Sequence, residues 1–158
     1  MSLNDWILAL HLLAAFALVG AQVAFTSMMV ALWRTDDPQR VVAFKRPSQV
    51  AQVMIMAGVA GTLIFGIWLA ISLEAYQLWD GWVIAAFVLW AIASGLGQQM
   101  GEAYGSSATE AERLVAAGTR SSPELAATYG PSRAFQFHVA SVVVTFLLLL
   151  DMIWKPGA

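Results

Sequence analysis

Within the long apolar stretches of this sequence, chemistry falls to two histidines and one aspartate: His11, His138 and Asp151. An ionisable group at membrane depth is costly to keep there, which makes each of them a functional candidate. At helical spacing His11 shares a face with Ala15, Leu18, Gln22 and Met29, a semi-polar seam with small residues between its polar members. An imidazole on such a seam serves as an axial metal ligand, a proton carrier or a hydrogen-bonded anchor to a neighbouring helix. His138 shares its face with Ser141 and Thr145 and reads as an interfacial histidine satisfied by hydrogen bonds. At helical rise the two histidines differ in depth by roughly 15 Å, so they do not share one iron. Asp151 precedes Lys155 by four residues, the acid-first order of a helical ion pair, with a cross-helix bond to His11 as the alternative.

Methionines gather at the other end. Met28, Met29, Met54, Met56 and Met100 map to the same half of the spans as His138. Thioethers suit Cu(I), and they serve equally as adaptable packing. The chain has no cysteine, which removes disulfides, iron–sulfur clusters and thiolate metal sites. It contains no buried carboxylate pair, nucleophile elbow, P-loop or H-E-x-x-H run. The net charge of -2 carries no basic excess, so no nucleic-acid partner is expected.

The elements that must position these residues are membrane helices. Apolar residues make up 59% of the chain and charged residues 11%, with a mean hydropathy of +0.70. A water-soluble domain carries about 25% charge. A bilayer core about 30 Å thick needs about 20 apolar residues per helix. Four stretches qualify, at about residues 6–33, 50–73, 82–100 and 134–154. Trp6, Trp33, Trp79, Trp82 and Trp154 fall near their ends, where indoles anchor at the interface. The first stretch lacks a basic leader and exceeds a signal-peptide core, so it reads as a retained helix.

Arg34, Arg40, Lys45 and Arg46 lie between spans one and two, and Arg113, Arg120 and Arg133 between spans three and four. Only Lys155 lies on the other side, so the positive-inside rule puts both termini outside. The expected fold is all-α: a polytopic four-helix transmembrane bundle in one domain, N-out and C-out. In the loop at 101–133, Thr109-Glu110-Ala111-Glu112 reads as a capping box, and Ser122-Pro123-Glu124 as a second helix start. Two short surface helices follow from these signals. Ala57 and Gly61 form a small-xxx-small pair in span two, and span three carries Ala91, Ala93, Gly95, Gly97 and Gly101. The short link between those spans predicts a close antiparallel hairpin. The run VVVTFLLLL of span four reads as facing lipid or an oligomeric partner.

Several runs resemble a known group. Leu10-His11-Leu12-Leu13 with Gly20 is similar to the start of CopD- and HemJ-type four-helix proteins. The run from Trp82 to Trp90 and the ending Met152-Ile153-Trp154-Lys155-Pro156 resemble a bacterial family of predicted integral membrane proteins of unknown function in the same broad group. The resemblance implies a multi-pass protein of the bacterial inner membrane. HemJ-type proteins are linked to protoporphyrinogen oxidation and b-type haem through a first-helix histidine, which is His11 here; the third-helix lysine of those proteins has no counterpart in span three. CopD-type proteins imply copper handling. The leading expectation is a b-type haem or porphyrin site in a redox role, with His11 as the metal ligand, Gln22 beside it and Lys155 meeting a propionate. The alternatives are an accessory or scaffold subunit docked through the fourth helix, as a homo-oligomer or in a larger complex, and a copper-binding or transport protein.

Overall fold

The computed structural model describes residues 2–72 and 77–156. Its helices are α1 (Leu3–Ala31), α2 (Pro38–Ser72), α3 (Gly81–Ala116), α4 (Pro123–Thr128) and α5 (Arg133–Trp154). No strand occurs among the described residues. α1, α2, α3 and the stretch Pro123–Trp154 are each long and apolar enough to cross a membrane. The chain is therefore an all-helical, multi-pass membrane protein.

The ends of α1 and α5 follow from local chemistry. Ser2 and Asp5 form a reciprocal cap on α1, the serine hydroxyl accepting from Asp5 N–H at 3.2 Å and the carboxylate from Ser2 N–H at 2.7 Å. Ser132 caps α5 by accepting from Phe135 N–H at 3.2 Å. α5 ends at Lys155, whose φ of 42° places it in the left-handed region.

α2 and α3 are longer than the apolar pattern suggests. They have 35 and 36 residues, each about 53 Å long at helical rise, well beyond a hydrocarbon core. α2 starts at Pro38 rather than Val50 and carries Pro47 inside it. α3 runs through Met100 to Ala116, so the capping box expected at Thr109 does not form. Thr109 instead donates to the Gly105 carbonyl within the helix, and Glu112 pairs with Lys45 at 2.6 Å. Tertiary packing overrides the local signal here: Tyr104 is buried and Ala111 fully so. Downstream, Ser122 accepts from Leu125 N–H and α4 begins at Pro123.

The pairing of helices also differs from expectation. α1 packs mainly against α2, and α3 against α5, while α2 and α3 touch far less. Glycine placement explains this. A Cβ on Gly58 would lie 2.8 Å from Leu18 Cβ and 2.9 Å from the Ala14 carbonyl oxygen, and one on Gly61 would lie 2.8 Å from Ala14 Cβ. Close approach of backbones is what joins helices in lipid, and α2 offers it to α1. Ala57 is exposed, so Gly58 rather than Ala57 partners Gly61 in this seam. The glycines Gly95 and Gly97 of α3 meet no such neighbour.

The buried cluster lies at the basic end. Phe25, Met29, Leu32, Val41, Ala51, Met100, Tyr104, Ala111, Leu125, Tyr129 and Ala134 form it. Hydrophobic burial requires water as the alternative, so it operates where α2 and α3 project beyond the bilayer. The two basic loops are tied together there. Arg34 N–H donates to the Tyr129 carbonyl at 3.0 Å, Ser122 N–H to the Asp36 carbonyl at 2.8 Å, and the Ser121 hydroxyl to the Asp36 carboxylate at 2.8 Å.

Candidate functional site: a chamber between two helix pairs

A chamber of about 1000 Å³ lies between the α1–α2 and α3–α5 pairs. Pairwise packing produces it, because the two seamed pairs approach one another over fewer residues than the helices within each pair do. Gln22 of α1 donates to Ser141 of α5 at 3.5 Å, Trp33 and Phe135 stack edge-on at 4.9 Å, and Trp90 Nε1 of α3 donates to the Val59 carbonyl of α2 at 3.1 Å. The lining is apolar along Leu18, Phe25, Ile55 and Leu63. Polar groups enter it from Gln22, Gln52, His138, Ser141, Tyr104 and Lys45.

His138 is the imidazole on this wall. It is 3% exposed, with Phe25 against it at a ring distance of 5.7 Å. Its Nε2 lies 3.0 Å from the Thr26 hydroxyl and its Nδ1 3.1 Å from the Met100 sulfur. The Thr26 hydroxyl also lies 2.8 Å from the Gln22 carbonyl oxygen. The Thr26 hydroxyl can accept from Nε2–H, or donate to Nε2 while Nδ1–H donates to the Met100 sulfur, so both neutral tautomers fit this place. An imidazole of α5 and a thioether of α3 thus meet in a buried place.

His11 sits elsewhere. Its ring lies on the α1–α2 seam, beside the Thr62 backbone, where a Cβ on Gly66 would come within 3.1 Å of Cε1. Its Nδ1 is buried with no hydrogen-bond partner, and the ring is not part of the chamber lining. Lys155 lies at the far end of α5 with its ammonium 5.4 Å from the centre of the Trp82 ring, a cation–π distance. Asp151, four residues earlier, has one carboxylate oxygen buried without a hydrogen-bond partner. Of the residues singled out from sequence, Gln22, His138, Met29, Met56 and Met100 line the chamber. No described contact joins His11 to Gln22 or to Lys155. Met54 and Met56 are exposed, at 44% and 66% respectively, and Met54 is not on the chamber lining.

Sequence reading does not reveal the His138–Met100 pair or Lys45. The first depends on how α3 and α5 pack. The second depends on α2 starting twelve residues earlier than its apolar run. One signal was available: His138, Ser141 and Thr145 recur at helical spacing, and all three are buried on the chamber side.

A family model described as "Predicted integral membrane protein (DUF2269)" matches residues 5–156. The chain belongs to this family. Neither a curated protein nor a solved structure matches it. For this DUF2269 protein the family description agrees with the four spanning stretches, and the chamber is where its chemistry can be sought.

Proposed function

We propose that this protein binds a b-type haem or porphyrin in the chamber, in a redox role, within a bacterial inner membrane. The observation that carries the reading is the chamber itself. At about 1000 Å³ it is as large as a site for a sizeable ligand needs to be, and it combines apolar walls with a few convergent polar groups. A tetrapyrrole has this same division, an apolar plate with a carboxylate edge. His138, the buried imidazole on the chamber lining, would supply the nitrogen donor to the iron. His11, held against Gly66 on the α1–α2 seam, does not fit a plate at its buried Nδ1 while that seam is closed, and we assign it an anchoring role. Lys45, bridged to Glu112 at 2.6 Å, is the cation on the chamber lining that can turn to a propionate. A bound haem would supply one-electron chemistry; the chain's own residues would hold it, orient it and exclude water.

A second reading has its own observation. The Met100 thioether is a soft ligand of the kind that Cu(I) selects, and the His138 imidazole 3.1 Å from it is a donor that copper also accepts. Both readings are tested on one sample. The protein is purified in mild detergent from haem-replete, copper-replete cells and subjected to a pyridine haemochrome assay and elemental analysis. Stoichiometric haem b is expected. Copper without haem would replace the first reading with the second, and a colourless, metal-free protein would overturn both.

A further inference from the structure

Two phenols line the basic-side end of the chamber, Tyr104 at 6% exposed and Tyr129 at 4%. Their rings are held in place. Tyr104 meets the Phe25 ring edge-on at 5.9 Å and the Tyr129 ring at 5.4 Å, with the two phenol planes 31° apart. The Tyr129 backbone is fixed as well: its N–H donates to the Leu125 carbonyl at 2.9 Å, and its carbonyl accepts from Arg34 N–H at 3.0 Å. The hydroxyls are not held in this way. Neither has a hydrogen-bond partner among the described residues, and neither oxygen is sealed inside the protein. A buried tyrosine ordinarily finds a partner for its hydroxyl. Two adjoining phenols without one, on the wall of a void, are polar groups left for something that enters it.

Depth puts this end of the chamber at the membrane surface. With Trp82 at the far interface, Tyr104 lies about 33 Å along α3, just past a hydrocarbon core about 30 Å thick. Glu102, Gly105 and Thr109 line the chamber there and lie exposed, so this end is open to water. The other direction is apolar, along Leu18, Leu63 and Leu148. The cation on the lining is Lys45, which bridges Glu112 about two turns beyond Tyr104 on α3. Glu102 is turned to the Gln98 amide, from which it accepts at 3.3 Å on the exposed rim.

We propose that Tyr104 and Tyr129 form a hydrogen-bond-donor subsite that takes a carboxylate of the chamber's ligand. The pair thereby orients the ligand, with its carboxylate edge at the basic side and its apolar body among Leu18, Leu63 and Leu148. The proposal rests on the reading of the chamber as a ligand site. Each phenol keeps its proton at neutral pH and can donate it. A carboxylate offers two oxygens to the two donors, and a hydrogen bond to an ionised acceptor is about twice as strong as a neutral one. A carboxylate that displaces water from the hydroxyls also reproduces the bonds that water makes. Because the rings are already fixed, little ordering is lost when the ligand arrives.

Three iron-free porphyrins test the subsite without involving a metal ligand. Mesoporphyrin IX carries two carboxylates, its dimethyl ester keeps the carbonyls without charge, and etioporphyrin presents a similar apolar plate with no oxygen. Their dissociation constants are measured by porphyrin fluorescence on the full chain in detergent, at one micelle concentration, for wild type and the double variant Tyr104→Phe, Tyr129→Phe. The double variant keeps both rings. It should bind mesoporphyrin IX more weakly by about tenfold or more, the ester with a smaller loss, and etioporphyrin within about twofold of wild type. Tyr129→Phe alone, expected to lose about threefold for mesoporphyrin IX, serves if the double variant does not fold. Unchanged affinity for mesoporphyrin IX would overturn the subsite. An equal loss for etioporphyrin would do the same, by assigning the phenols to packing, and an equal loss for the ester would replace the carboxylate with a neutral carbonyl. Wild type that binds none of the three would overturn the chamber reading and the subsite together, whereas wild-type binding with an indifferent variant overturns the subsite alone.

Discussion

At Gly58 an added methyl would sit 2.8 Å from both the backbone nitrogen and the Cβ of Leu18, whereas at Gly95 it would meet nothing within 4 Å. The same substitution should therefore have opposite consequences at the two positions. Gly58→Ala overpacks the α1–α2 seam and should cost about 1–3 kcal/mol. Gly95→Ala should be neutral or stabilising by up to about 1 kcal/mol through helix propensity. Unfolding in mixed micelles measures both, and equal losses would contradict the seam as described. The sequence displays these glycines without ranking them, since a glycine's role depends on which helix lies opposite. The histidines behave alike in this respect. His11 and His138 look equivalent as isolated intramembrane imidazoles, and packing alone separates the one on the α1–α2 seam from the one on the chamber wall.

The helices themselves were legible wherever water and lipid sort residues. Four apolar stretches and the tryptophans at their ends predict the spans, because hydrocarbon thickness sets their length. Their continuation on the basic side was not legible. Gly101, Gly105 and Thr109 resemble a loop and a helix start, yet the burial of Tyr104 and Ala111 carries α3 through them. Ser122 is the local signal that does act: its hydroxyl accepts from Leu125 N–H at 3.4 Å and donates to Glu124 at 2.8 Å in a 5% exposed position. Ser122→Ala should cost about 1 kcal/mol and loosen the junction of α4 with the Asp36 turn. Thermal unfolding checks the magnitude, and an unchanged stability would mean that the cap is redundant. Lys45 and Glu112 are partly exposed, at 28% and 45%, so Lys45→Met should change stability by less than about 1 kcal/mol. On the haem reading it should nevertheless weaken retention of a carboxylate-bearing tetrapyrrole, seen as faster haem transfer to an apoprotein acceptor.

For the whole molecule, the basic residues divide seven to one between the two sides of the membrane, which predicts both termini outside. In intact cells a membrane-impermeant thiol reagent should label Trp79→Cys and spare Ala117→Cys, and permeabilisation should expose the second; the reverse pattern would invert the topology. The same asymmetry orders the stability of the fold. Its basic half holds a hydrophobic cluster tied by the Arg34, Asp36 and Ser122 bonds, and its other half depends on glycine contacts between α1 and α2. The chamber lies where the two helix pairs fail to close, a consequence of pairing that no single stretch of sequence displays. Whether that opening holds a redox tetrapyrrole is the central claim. The measurement that tests it most directly is the reduced-minus-oxidised spectrum, with haemochrome quantitation, of wild type, His138→Ala and His11→Ala expressed and purified in parallel. The account predicts stoichiometric haem b in wild type, its loss in His138→Ala and its retention in His11→Ala. Haem lost from His11→Ala and kept by His138→Ala would move the site to the α1–α2 seam and contradict the chamber as its place.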